Sequence, residues 1–197
     1  MNIFDYAINE VKENKEGLLS LPTRQKLWLQ FGNPEKIDSN RAVITNGLCK
    51  RIELAKKCIE KVAYLWKGDL VADFPLETVL KPIDEFLNGE ITDEELYELQ
   101  NLYFSECEQI GFNSGYDNIS AIGFAALYIY NVVIYDEPLL LPFYRNLNDG
   151  DLDAFTWDTA YLINIVYRYS DNRIEEIKLS KKYWLWYINC ARDLFEQ

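Results

Sequence analysis

Carboxylates are the side chains of this sequence best suited to acid–base chemistry. Glu94 and Glu98 stand at i and i+4, and Glu106 and Glu108 form a second close pair. Such pairs act as acid and base only when a desolvated pocket drives their pKa values apart, and nothing nearby in sequence supplies that pocket. Histidine is absent, which removes the commonest general base and the commonest metal ligand. A Ser-His-Asp or Cys-His relay and an H-E-x-x-H zinc site are therefore excluded.

The remaining candidate ligands are poorly spaced. Cys49, Cys58, Cys107 and Cys190 contain no C-x-x-C pair. Cys49 and Cys58, nine residues apart, fall on opposite sides of a helix and cannot share a metal. In apolar surroundings such thiols behave as small reduced hydrophobes. The run Asp149-Gly150-Asp151-Leu152-Asp153 invites a calcium reading. An EF-hand loop with Gly150 as its sixth residue would put Arg145 at the first ligand position and Thr156 where the bidentate glutamate belongs. Acids starting a helix explain the run better. No metal, cofactor or catalytic residue is expected.

The elements that carry these residues read as helices. Nine glycines and six prolines punctuate 197 residues, and no sustained alternating strand pattern or glycine-rich phosphate loop occurs. Apolar residues at helical spacing predict a helix from Ile3 to about Asn14, and one after Ser20-Leu21-Pro22 that Gly32 stops. A long helix, or two broken near Gly47, is predicted from about Ser39 to Trp66. Pro75 opens the next, which ends at Asn88-Gly89; Thr92-Asp93-Glu94-Glu95 is a capping box for a helix to about Ile110.

Asn118 to Tyr135 carries no charge over 18 residues, barely a bilayer's width, and reads as a buried central helix. A short helix is expected at Pro138–Leu147, another from Asp151 or Asp153 through Tyr169, and a last one from about Asn172 to Phe195. The fold class is all-α, a single domain over residues 1–197, built as a helical bundle or short stack of about eight helices. The first residues lack a basic region and an apolar run, so no signal peptide is expected and the protein is placed in the cytoplasm.

Charge is distributed unevenly along the chain. From Pro82 to Tyr144 there is no lysine or arginine but twelve acids, whereas residues 1–81 carry 13 basic and 11 acidic groups and residues 145–197 carry 7 and 9. The net charge of −12 therefore resides in the middle third. Seven acids, Asp84, Glu85, Glu90, Asp93, Glu94, Glu95 and Glu98, cluster across one helix junction. A like-charged face attracts a basic partner and disfavours nucleic acid and anionic membranes. The same acidity also aids solubility, and Lys56, Lys57 and Lys61 are available to neutralise part of it.

Aromatic residues are abundant, with 14 Tyr, 10 Phe and 5 Trp. Trp184, Trp186 and Tyr187 cannot all face one side of a helix, and Tyr128, Tyr130 and Tyr135 are expected around the core of the uncharged helix.

Residues 41–137 carry a pattern of their own. It consists of Leu54-Ala55-x-x-Cys58-x-x-x-Val62-x-x-x-Trp66, then Asp73-x-Pro75, Phe86-Leu87-Asn88-Gly89-Glu90 and the small-residue run Ile122-Gly123-Phe124-Ala125-Ala126. This stretch resembles the all-helical Immunity-5 family of bacterial polymorphic-toxin systems, departing from it by aromatic residues in the last helix. The resemblance implies a non-enzymatic protein that binds and neutralises a cognate toxin by occlusion, and it brings no catalytic residues. A basic, nuclease-like toxin suits the charge map, since carboxylates can occupy the sites of substrate phosphates. Two other readings fit the residues: a helical enzyme or small-ligand-binding protein using carboxylates near the tyrosine-rich core, and a helical scaffold for a basic protein.

Overall fold

Helix α1 (Ile3–Glu13) starts where the Asn2 side chain accepts a hydrogen bond from the Asp5 amide at 2.8 Å. Its Glu10 then shapes the next turn, accepting from the Ser20 amide at 2.6 Å and from the Thr23 hydroxyl at 2.5 Å. Helix α2 (Leu21–Leu29) is thus capped from α1. Ser20, the expected cap, turns its own hydroxyl to Thr23 Oγ1. Gly32, with φ +108°, ends the segment.

The long helix expected from Ser39 to Trp66 is shorter at both ends. The Ala42 amide donates to the Ile134 carbonyl and the Val43 amide to that of Glu35, each at 2.8 Å. These tertiary bonds hold the backbone out of the helix until Thr45, which caps the Leu48 amide and starts α3 (Asn46–Glu60). Gly47 is required there, because a Cβ would press on the Phe31 carbonyl. Beyond Glu60 the chain tightens into a 3-10 turn at Ala63–Leu65, and the Trp66 indole donates to the Phe74 carbonyl at 2.9 Å.

Helix α4 (Leu76–Leu87) follows Pro75 and tolerates a buried Pro82 inside it; Gly89, with φ +74°, closes it. Helix α5 (Asp93–Gly111) has the predicted capping box: Thr92 Oγ1 accepts from the Glu95 amide at 3.2 Å, and the Glu95 carboxylate accepts from the Thr92 amide at 2.8 Å.

Helices α6 (Asp117–Tyr135), α7 (Thr159–Arg168) and α8 (Arg173–Glu196) follow among the described residues. The computed structural model describes residues 2–37, 41–113, 115, 117–136, 148–152 and 157–197. The helix predicted at Pro138–Leu147 and the start predicted at Asp153 lie outside them. Asp151 does not open a helix: Asp149–Asp151 is a 3-10 turn, and α7 begins later, where the Asp158 carboxylate caps the Tyr161 amide at 3.0 Å.

From α4 onward each helix packs on its successor in the chain, and α6 is the hub, touching α3, α4, α5 and α7. Helix α8 gathers α1, α2, α3 and α7 at the other end. Small residues permit the tight α5–α6 approach: a Cβ on Gly123 would press on the Cys107 thiol, and one on Gly111 on the Ser120 hydroxyl. One cluster of buried apolar side chains runs from Phe4 on α1 to Leu194 on α8. By length and composition α6 is the described helix apolar enough to cross a membrane, but 61% of its most apolar window is buried against other helices. It is the central helix that its lack of charge predicted.

Candidate protein-binding surface

The seven clustered acids are split between the end of α4, the α4–α5 turn and the first two turns of α5. Amphipathicity puts them outside: α4 buries Val79 and Ile83, and α5 buries Leu96, Tyr103 and Cys107. The fold then divides them by charge. Asp84 is bound by Lys56 of α3 at 2.5 Å, Glu85 by Lys81 at 2.5 Å, and Asp93 by Arg41 at 3.1 Å. The pKa of Lys81 is raised by its hydrogen bond and ion pair with Glu85. Of the other candidate neutralisers, Lys57 pairs within its own helix with Glu53, and Lys61 lies 4.8 Å above the Trp186 ring.

Glu95 is engaged in the cap of α5, and the Thr92 amide and hydroxyl hold its carboxyl below the usual carboxylate range. Glu90 accepts from Asn88 at 3.3 Å. Glu94 and Glu98 are exposed and unpaired among the described residues. Of the seven acids, the two left exposed and unpaired among the described residues, Glu94 and Glu98, lie on α5 and not on α4.

Sequence reasoning missed the apolar residues on that same helix and at its C-cap, Phe112. Tyr97, Leu102 and Phe112 are 51%, 55% and 86% exposed. Their signal was legible: all three fall outside the Leu96, Leu99, Tyr103, Cys107 stripe that faces the core.

The interior uses charge differently. Arg24 of α2 is fully buried, donating from Nε and Nη2 to Asp158 at 2.9 and 2.7 Å and from both terminal nitrogens to Asp149. Its guanidinium also sits over the rings of Tyr161 and Trp184, at 5.2 and 5.3 Å from their centroids. Burial opposes its charge, but the fields of Asp158 and Asp149 outweigh burial and raise its pKa further. Burial pushes the Asp149 carboxyl upward, with Arg24 opposing. A second buried pair joins Arg51 of α3 to Asp136, at 2.8 and 2.6 Å, while Arg51 also donates to the Gly32 carbonyl at 2.9 Å. Asp136 takes a left-handed φ of +43° just past the end of α6.

These arginines engage Asp136, Asp149 and Asp158, the buried acids among the described residues. Tyr130 donates to the Val79 carbonyl at 2.6 Å, and Tyr187 accepts from the Trp28 indole at 3.0 Å. Tyr128 and Tyr135 are half-buried beside them, while Trp184 and Tyr187 turn inward and Trp186 is half-buried. Cys58 and Cys107 are buried free thiols, Cys107 pushed up to about 12 by desolvation, and Cys49 and Cys190 are half-buried and free.

Among the described residues, two of the larger grooves are apolar in part. One of about 530 Å³ runs between α5 and α6, lined by Phe104, Phe124, Leu127 and Trp157 with Asp117 as its acid. Another of about 800 Å³ lies along the α3–α4 connection, with Glu60, Lys67, Asp69 and Glu77 exposed around it. Among the described residues no three Cys, Asp or Glu side chains converge as metal ligands.

Residues 4–192 match the family model described as immunity protein Imm5, almost the whole chain and well beyond the stretch whose motifs carried the resemblance. A comparison with curated proteins finds no match.

Proposed function

The chain belongs to the Imm5 family of immunity proteins, and from that premise we propose that it binds a cognate bacterial toxin in the cytoplasm and neutralises it by occlusion. The protein performs no reaction in this reading; it covers the toxin's working surface. The family match over residues 4–192 carries the proposal.

The charge map supports the kind of partner. The excess negative charge lies between Pro82 and Tyr144, and part of it stays exposed and unpaired on α5. Fields of this kind speed encounter with a basic protein. A nuclease-like toxin, which must itself attract phosphates, fits that description, and carboxylates placed in its substrate groove would take the phosphate positions. The buried acids among the described residues, Asp136, Asp149 and Asp158, are bound by Arg24 and Arg51.

The test is co-expression with the toxin encoded beside this gene. Cells making both should survive where toxin alone kills, and the two proteins should co-purify and leave the toxin inactive in a purified assay. A toxin that stays fully active with excess purified protein would remove the reading.

A further inference from the structure

Helix α5 leaves one long face uncovered, and that face is chemically mixed. Glu94, Glu98 and Glu108 alternate along it with Tyr97, Leu102 and Phe112. All six are exposed, and among the described residues Phe112 is the most exposed of the large apolar side chains, at 86%. At 1.5 Å per residue the stripe from Glu94 to Phe112 is about 27 Å long, the scale of a standard protein interface.

Two physical costs attach to this arrangement. Three large apolar groups meet water with no benefit to the fold, and uncompensated acids repel one another along one helix. Acidity for solubility accounts for the acids but not for the apolar groups set among them. Nor, among the described residues, does a lysine or arginine pair with Glu94, Glu98 or Glu108. Lys81 of α4, Lys56 of α3 and Arg41 are held by Glu85, Asp84 and Asp93.

We propose that the outer face of α5 is the docking surface for the toxin, and that its partner is a folded protein face with lysine or arginine side chains around an apolar patch. The inference rests on the immunity reading above and narrows it to one helix. Tyr97, Leu102 and Phe112 anchor the complex by leaving water, and Glu94, Glu98 and Glu108 meet the surrounding cations. Charge complementarity selects this partner: an acidic or nucleic-acid surface would face the unpaired carboxylates directly. The paired acids Asp84, Glu85 and Asp93, together with the capping Glu95, stand outside the contact and serve the fold.

The experiment uses the full chain and a catalytically inactive form of the cognate toxin, with binding kinetics at low and high salt. Replacing Tyr97, Leu102 and Phe112 together by Ser should weaken binding at least about a hundredfold, mostly through faster dissociation. Reversing Glu94, Glu98 and Glu108 to Lys should slow association by about tenfold or more and flatten its salt dependence. Changing Asp84 to Asn with Glu85 to Gln should leave the affinity within about twofold.

Hydrogen exchange on the unmodified chain gives a readout free of substitutions: toxin binding should slow exchange across residues 94–112. If the wild-type chain binds and neutralises toxin while both α5 variants bind as it does, or while α5 gains no protection, the docking surface lies elsewhere and the immunity reading stands. A wild-type chain that neither binds nor neutralises the toxin overturns both.

Discussion

The Arg24 cluster and the outer face of α5 place similar groups in opposite settings. In the first, one guanidinium holds two carboxylates in the interior, and every charge has a partner within hydrogen-bond reach. In the second, acids sit in water along α5, Asp93 paired with Arg41 and Glu94, Glu98 and Glu108 unpaired among the described residues. The difference teaches where each carboxylate acts. Buried charge is tolerated only when fully paired, and it then ties α2 to distant parts of the chain. Exposed unpaired charge adds nothing to the fold and is available to a partner.

Two carboxyl groups mark the contrast by shifting in opposite directions. Asp149 is raised because burial disfavours its ionised form, whereas Glu95 is lowered because two donors from Thr92 favour it. A raised carboxyl binds its proton more readily in the folded chain, so its contribution to stability grows as pH falls through the folded pKa. A lowered one stabilises above its ordinary value and loses that contribution as pH falls through the folded pKa.

The sharpest way to break the contrast is to remove the cation. Replacing Arg24 by Met keeps length and apolar contact with Tyr161 and Trp184 but leaves two acids buried and unpaired. It should cost about 3–5 kcal/mol in chemical denaturation. Any result below about 1 kcal/mol would mean that water reaches the cluster. Asp149→Asn is the milder cut, since it leaves a one-to-one pair between Arg24 and Asp158 and removes only charge-assisted bonds. It should cost about 1–3 kcal/mol at neutral pH. Because Asp149 is raised in the fold, the wild type should gain on this variant as pH is lowered through the carboxylate range; a gap that narrows on acidification would reverse the assignment.

The same contrast explains what the sequence made legible. The start of α5 could be read because its information is local: Thr92 and Glu95 are three residues apart and cap each other. The central place of α6 followed from its composition. Arg24 could not be read, because its carboxylate partners lie 134 and 125 residues away, and an arginine in an amphipathic helix is ordinarily solvated. The ends of α3 were misplaced for a related reason. Val43 continues the helical spacing of Leu48 and Ile52, but backbone bonds to Glu35 and Ile134 override that pattern. On the surface, the number of acids was plain while their pairing was not. Asp84 meets Lys56 and Asp93 meets Arg41, 28 and 52 residues away in sequence, and only the fold shows that the free charge lies on α5.

The cap of α5 lies between the two regions, being exposed yet structural. Thr92→Ala should cost about 1 kcal/mol at neutral pH, read from denaturation midpoints. Glu95→Ala should destabilise in the same direction, and its deficit should shrink as pH falls through the low carboxylate range, where the wild-type group takes up its proton. A deficit independent of pH would show that Glu95 acts through packing and not through its charge.

The smallest effect on stability is the most informative about function. Neutralising Glu94 and Glu98 together with Gln touches no ion pair, cap or buried contact, so stability should change by no more than about 0.5 kcal/mol. At low salt the relief of like-charge repulsion is offset by the loss of Glu94 from the first turn of α5, where the helix dipole favours an acid, and both effects should fade as salt rises. The same double change should slow association with the toxin. A residue pair whose loss leaves the fold unharmed while reducing recognition is held by the partner and not by the fold. If stability instead fell by a kilocalorie or more, these carboxylates would have structural partners like those of Asp84 and Asp93, and the division between paired acids on the fold and free acids on α5 would not hold.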